Sequence, residues 1–516
     1  MRWLFDRIGH LPIGVLGDRS VASMERRVIG IETEFGCLVR DDQVGTPETI
    51  VHLVRDHCFY EKKWGVIDLH ARDYSFEPAR SGGFLLNGGR LYVDAVGDHE
   101  EYATAECSSI LDVCRHHKAG QWLLQSFLDD LGLTDAVSFH NNSVDHFGGH
   151  TFGCHENYLV SMADEEFFRA SLRGLIPFLV TRQIFAGVGR VGGHRLNFSS
   201  LENSIMTISD HDVDYQWISN FYGVELDNSV DFQLSQRADH IIRTIASRVR
   251  FNRAIINPKW DSYYQNATYN RLHILFGESN MSDYATALKV GTTSAVLSLL
   301  EDGLIGRDVE IQDPLEALRS ISRDGSYRWL VTLTDGTTIS AIDLQRRYLS
   351  AAKKRLTGVD EQTDWVLANW ESTLDQLERD PMVLADRLDW VAKKKLFTEF
   401  VASEGVAWSD DILQSLDIEY HNINRNQSLF HALEQSGEMV RLVSDFEIAK
   451  AMSTPPVGTR AEGRANVVRR LIAAKSREYV VDWDVVYAGK GRQLEFGDPL
   501  HTYADETHRM LAGLPE

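Results

Sequence analysis

The sequence is short of several things, and each shortage excludes something. No stretch approaches the roughly 18 consecutive apolar residues that a membrane-spanning helix requires, so no membrane role is expected. The five cysteines (Cys37, Cys58, Cys107, Cys114, Cys154) all lie in the first third. None has CxxC spacing, and the odd number argues against a disulfide framework. The opening residues MRWLFDRIGHLPIGVLG carry Asp6, Arg7 and His10 where a secretory signal needs an unbroken apolar run, so a reducing cytoplasm is expected. Positive charge is also scarce: 53 Lys and Arg against 75 Asp and Glu leave a net charge of −22 over 516 residues. A nonspecific nucleic-acid binder releases counterions with a basic surface, which this chain lacks overall, although a local basic groove stays open. With 38 glycines, 11 prolines and 43% hydrophobic residues, the chain is neither collagen-like nor disordered. Its length allows a large core and about two to four domains.

What is present is a mixture of strand and helix patterns. Strand-like segments are Arg26 to Val39, Phe84 to Asp94, Ser138 to Asn142, Thr151 to Val160, Val230 to Gln236 and Arg271 to Gly277. Helical spacing runs over Glu48 to Cys58, Ser108 to Leu131, 164–185 and 283–301, and 341–402 reads as two or three long helices. Residues 61–83 show no period and read as a long loop. The elements do not alternate as strict βαβ units, which favours an α+β fold with a mixed or antiparallel sheet. Gly187 to Gly193 (GVGRVGG) lacks the spacing and setting of a dinucleotide-binding loop. The expected organisation is an extension over 1–25, a catalytic domain over 26–435 and a small C-terminal domain over 436–516.

Chemistry gathers on the strands. Glu32 and Glu34 are two apart and point to one face, where two like charges repel unless a divalent cation lies between them. Arg90, Tyr92 and Asp94 share a face after Asn87-Gly88-Gly89, and Asp98, His99, Glu100, Glu101 and Glu106 follow. His155 with Asn157, and Arg271 with His273, add two more strands. Carboxylates with neutral imidazoles suit Mg²⁺ or Mn²⁺, and the lack of paired thiolates argues against structural zinc. A metal floor with cationic walls is what a nucleoside triphosphate requires. Each of these groups taken singly reads as an ordinary solvated carboxylate or satisfied histidine.

The segments GIETEFG, NGGRLYVD, EYATAEC, FGCHENYL, FLVTRQ, QLSQRADHI, RLHILFGESNMS and LKVGTTS appear in that order. The series resembles the family of prokaryotic ubiquitin-like protein (Pup) ligases and their deamidase and depupylase paralogues, PafA and Dop, from about Arg26 into STPPVGTRAEGR. The resemblance implies a glutamine synthetase-like fold: a curved antiparallel sheet flanked by helices, with a small C-terminal domain. It implies ATP and Mg²⁺, with Mn²⁺ as an alternative, and phosphorylation of the C-terminal glutamate of a small acidic tag. A substrate lysine then displaces the phosphate. Carried over by position, Glu32, Glu34, Tyr92, Glu101, His155 and His273 surround the metals. Asp94 is the catalytic aspartate, and Arg237, Lys259, Arg271 and Arg460 contact ATP or its phosphates.

The chain departs from the family in places. AIIN continues as PKWDSYYQ, so Lys259 stands where an arginine is expected and the bidentate fork is lost. Glu100 replaces a proline, and the stretch 192–230 is longer than expected. A ligase is favoured; a hydrolase acting on a glutamine-ended tag or on conjugates is the alternative. A non-catalytic tag receptor and a small-molecule glutamate ligase are further readings. Arg346, Arg347, Lys353, Lys354, Arg355 and Lys393 to Lys395 are candidate contacts for an acidic tag, against the plainer reading of solvated helix faces.

Overall fold

The structure is a computed structural model that describes residues 27–67, 81–94, 99–146, 149–161, 170–197, 223–246, 253–258, 269–476, 478–489 and 491–514. The N-terminal extension, Lys259, most of the 61–83 stretch and 198–222 of the longer segment lie outside the described residues.

The centre of the fold is a long strand, β1 (Ile29–Val39), whose sequence alternates apolar and acidic residues. Ile29 and Ile31 enter the main core while Glu32 and Glu34 take the opposite face. Further strands are β2 (Gly65–Ile67), β3 (Gly82–Leu85), β4 (Arg90–Asp94), β5 (His99–Ala103), β6 (Val137–His140) and β7 (Cys154–Val160). They are followed by β8 (Arg190–Asn197), β9 (Gly223–Gln233), β10 (Arg243–Ile245), β11 (Ala254–Pro258) and β12 (Asn270–Ile274). The large sheet has the order β10-β11-β12-β7-β1-β5-β4-β3-β2, with β6 paired to the far end of β1. Its described pairings are antiparallel except β10 with β11. Strands β8 and β9 form a separate two-stranded sheet.

Two features differ from the sequence reading. Residues 84–94 form a hairpin rather than one strand, because Gly88 adopts φ +79° and the Asn87 side chain accepts from the Gly89 N–H at 3.0 Å. Within 61–83, Gly65–Ile67 is a strand paired to β3. Three residues are too short for a period to register.

Helices cover the apolar face. They include α1 (Pro47–Asp56), α2 (Ile110–Leu131), α3 (Asp283–Glu301), α4 (Ala341–Leu356), α5 (Glu361–Arg379) and α6 (Asp389–Glu404). Thr46, Ser109, Ser282, Ser340 and Asp360 cap the first five through side-chain oxygens, supplying acceptors for first-turn N–H groups. The main core joins Ile29, Ile31, Tyr158 and Leu272 to Leu288, Val296, Tyr348 and Trp370. Several motif residues serve this core rather than the chemistry. Arg182 donates to Glu156 at 2.5 and 2.9 Å and to Thr293 at 2.6 Å, all buried. Glu278 accepts from Ser235 Oγ at 2.6 Å and from the Arg237 N–H at 2.9 Å, which shapes the turn carrying Arg237.

Toward the C-terminus, Val443 and Ile448 still belong to the main core. A separate cluster then forms from α7 (Ala461–Ala473) and a three-stranded sheet, with Val467, Leu471, Val486 and Phe496 packing on Val66 and Phe84. Buried Glu106, just beyond β5, fastens this unit: it accepts from Arg460 Nε at 2.7 Å and pairs with Arg464.

Candidate active site

The register of five adjacent strands brings the acidic and imidazole side chains together. Directly opposite residues on antiparallel strands share a face. His155 lies opposite Glu32, Glu101 opposite Glu34, Tyr92 opposite Glu101, and Asp94 opposite His99. His273 lies opposite Asn157, two residues along from His155. The face therefore runs from Arg271 and His273 on β12, through β7, β1 and β5, to Arg90, Tyr92 and Asp94 on β4.

Two clusters stand out on it. Glu32, His155 and His273 each offer a ligand atom within 4.8 Å of the others, and so do Glu34, Asp94 and Glu101. In the first, His155 Nδ1 lies 3.2 Å and His273 Nε2 3.5 Å from Glu32 Oε2, and the two rings meet edge-on with centroids 4.9 Å apart. Asn157 Nδ2 donates to Glu32 Oε1 at 3.0 Å, and Arg271 donates to Asn157 Oδ1 at 3.1 Å. In the second, His99 Nδ1 lies 3.0 Å from Glu34 Oε2. Arg90 lies over the Tyr92 ring, 4.5 Å from its centroid.

The electrostatics follow from three carboxylates sharing a small, partly buried volume. Burial pushes the Glu101 carboxyl well above its ordinary value, and the charges of Glu32, Glu34 and Asp94 push it further. Burial also raises the Tyr92 phenol, assisted by Glu101 and Glu32. Burial opposes ionisation of Glu34, yet its hydrogen bond and charge interaction with His99, with help from His155 and the Gly153 N–H, hold its carboxyl below the usual range. The donor set fits divalent cations: hard oxygens in one cluster, and one carboxylate with two imidazoles in the other. Gly153 keeps the clusters open. A Cβ there would sit 2.4 Å from Glu34 Oε1 and 2.7 Å from His155 Nε2.

Of the residues singled out from the sequence, Glu32, Glu34, Tyr92, Asp94, Glu101, His155, Arg271 and His273 are brought to this face. Arg237, 6% exposed, approaches its edge and donates to the Phe152 carbonyl at 3.3 Å, with Glu34 and Glu278 favouring its charge against burial. Arg460 lies against Glu106, just beyond β5. It is buried in the ion pair with Glu106 and donates to the Phe496 carbonyl at 2.9 Å. The sequence reading set His99 and Asn157 among the polar residues of these strands without giving either a role, and it did not single out Gly153 beyond its place in FGCHENYL.

The basic helical runs are mostly committed elsewhere. Arg346 pairs with Asp375 and Glu378, Arg347 with Asp308, Lys353 with Glu371 and Arg355 with Asp302. Lys393 is fully buried against Asp417, and Lys394 lies 3.9 Å from the Trp408 ring centroid. These runs are salt-bridged and, at Lys393, buried rather than solvated. Among the described residues, no helix is long and apolar enough to cross a membrane.

Residues 27–487 match the model of a family described as Pup-ligase protein. A Pup–protein ligase from Mycobacterium ulcerans (strain Agy99) is 34% identical over 505 residues, covering 95% of this chain and 100% of the relative. One from Nocardioides sp. (strain ATCC BAA-499 / JS614) is 32% identical over 506 residues, with coverage of 95% and 100%. The crystal structure of the complex between the prokaryotic ubiquitin-like protein Pup and its ligase PafA superposes with a TM-score of 0.76 at 28% identity, covering 95% of this chain and 91% of that one. The Pup ligase PafA in complex with ADP gives a TM-score of 0.69 at 30% identity, covering 83% and 89%.

Proposed function

The chain belongs to the Pup-ligase family, and from that premise we propose that it uses ATP to join a Pup-like tag to lysine side chains of other proteins. The observation carrying this reading is the pair of clusters, Glu32/His155/His273 and Glu34/Asp94/Glu101, on one face of five strands. Five free cysteines, four of them buried, are in keeping with work in a reducing cytoplasm.

The reaction runs in two steps. An oxygen of the tag's terminal γ-carboxylate attacks the γ-phosphorus of ATP, the bond to the bridging oxygen breaks, and ADP leaves. The lysine nitrogen then attacks the glutamyl carbon; a C–N bond forms, the C–O bond to phosphate breaks, and phosphate leaves. A carboxylate resists amines until one oxygen becomes such a leaving group. Glu32, His155 and His273 would hold one divalent cation, and Glu34, Glu101 and Tyr92 a second. Bound Mg²⁺ or Mn²⁺ supplies neutralisation of the charge on the transferred phosphoryl group. Arg237 and Arg271 border the face and would bind phosphate oxygens, with Lys259 as a third cation; Arg460, committed to Glu106, is left out. Asp94 sits at the end of β4, where its carboxylate would orient the lysine and take its proton. An amine with a pKa near 10.4 is nearly all protonated at neutral pH, so an acceptor is required.

Intact-protein mass spectrometry tests the proposal. With Mg²⁺, ATP, a tag ending in Glu and a lysine-bearing acceptor, the expected product is a tag–acceptor adduct lighter than its parts by one water, with release of ADP. Asp94→Asn should abolish the adduct and leave ATP binding largely intact. Conversion of a glutamine-ended tag or cleavage of a preformed conjugate, with no adduct, would instead assign a hydrolase.

A further inference from the structure

Three carboxylates within 4.8 Å repel one another, so something must hold each one in place before a cation arrives. In the other cluster that task falls to Asn157, whose amide donates to Glu32 Oε1 at 3.0 Å. The corresponding contact for Glu34 is His99. Its Nδ1 lies 3.0 Å from Glu34 Oε2, and its ring rests against Phe152 with centroids 4.5 Å apart. The β4–β5 ladder places His99 opposite Asp94, so the residue that secures Glu34 is also the cross-strand partner of the third carboxylate. On the other side of Glu34, Oε1 lies against Gly153, where a Cβ would approach to 2.4 Å. Both oxygens of Glu34 are thereby located, one by an imidazole and the other by the room Gly153 leaves.

We propose that His99 is a positioning residue for the ligase reaction: its Nδ1–H holds Glu34 in the orientation that lets Glu34 and Glu101 receive a divalent cation together. This rests on the metal reading of the site given above. Hydrogen-bonding partners that orient ligating groups typically contribute 10- to 100-fold to metal affinity. The Phe152 contact fixes the ring plane, and Phe152 presents its carbonyl to Arg237, so the same short assembly ties the cation cluster to a cation on the rim.

The test is Mn²⁺ binding to the full chain without nucleotide, read from the loss of the free-ion electron paramagnetic resonance signal. The wild type should bind two Mn²⁺ ions, and the class abolished by Glu101→Gln identifies the carboxylate cluster. His99→Leu should weaken that class roughly 10- to 100-fold and leave the other unchanged. His99→Asn, whose amide nitrogen falls near the Nδ1 position, should restore most of the affinity. Thermal unfolding of both variants should match the wild type. Unchanged binding in His99→Leu, equal weakening of both classes, or no recovery in His99→Asn would each overturn the proposal. A wild type that binds no Mn²⁺ would overturn the metal reading and this inference together, and is recognised before any variant is made.

Discussion

Replacing Glu106 with Gln should loosen α7 from the catalytic sheet by about 3 kcal/mol. Glu106 is buried between two arginines, and its carboxyl falls from 4.5 to about 2: burial opposes ionisation, and the charges and hydrogen bonds of Arg464 and Arg460 outweigh it. That depression corresponds to about 3–4 kcal/mol at about 1.4 kcal/mol per tenfold change in ionisation. Removing one partner of a buried ion pair costs about 3–5 kcal/mol, which agrees in size. Because the folded-state value is depressed, this stabilisation is present above the unfolded value near 4.5. It fades as pH falls from there through about 2. The assay is native-state hydrogen exchange of the α7 amides at pH 7.5, where about 3 kcal/mol makes exchange roughly a hundredfold faster. Amides in β1 should be far less affected, since α7 packs in its own cluster with Val66 and Phe84. Exchange in α7 within a few-fold of the wild type would refute the reasoning, and so would an equal acceleration in β1.

Three other outcomes are expected. Glu100 is fully buried and, among the described residues, neither carboxyl oxygen has a hydrogen-bond partner; burial raises its carboxyl well above the ordinary value against the pull of Arg55. Glu100→Met should therefore raise stability by about 1–3 kcal/mol at pH 7.5 in denaturant unfolding. A raised folded-state value means the wild type loses stability as pH rises from about 4.5, so the gain should shrink toward that pH; a variant less stable than the wild type would contradict this. Gly153→Ala should cut turnover by roughly a hundredfold or more through displacement of Glu34 and His155, with thermal unfolding little changed, and near-normal turnover would show that the cluster tolerates the shift. Glu34→Gln should weaken metal-dependent nucleotide binding in a calorimetric Mg²⁺ titration, whereas equal binding would remove Glu34 from the metal site.

Much of the site was legible because strand geometry has a period of two. Glu32 with Glu34, Tyr92 with Asp94, and Arg271 with His273 each announce a shared face from spacing alone. Spacing within a strand says nothing of which strands are neighbours, so two facts escaped it. Asp94 joins Glu34 and Glu101 only because β5 lies between β1 and β4. His99 reaches Glu34 only through the same ladder. Arg460 shows the same limit: nothing in its motif tells that a partner 354 residues away is Glu106. Arg182 and Glu278 likewise sit in motifs and serve buried hydrogen bonding.

By itself, then, the sequence determined the α+β class, the main strands and helices, the family and most of the acids and imidazoles, because these follow from local periodicity and from the order of motifs along the chain. Only the tertiary structure decided which of those groups meet. Whether two carboxylates 67 residues apart, such as Glu34 and Glu101, share a cation or never meet depends on strand order and register. Those are settled by burial of the opposite, apolar face against the helices.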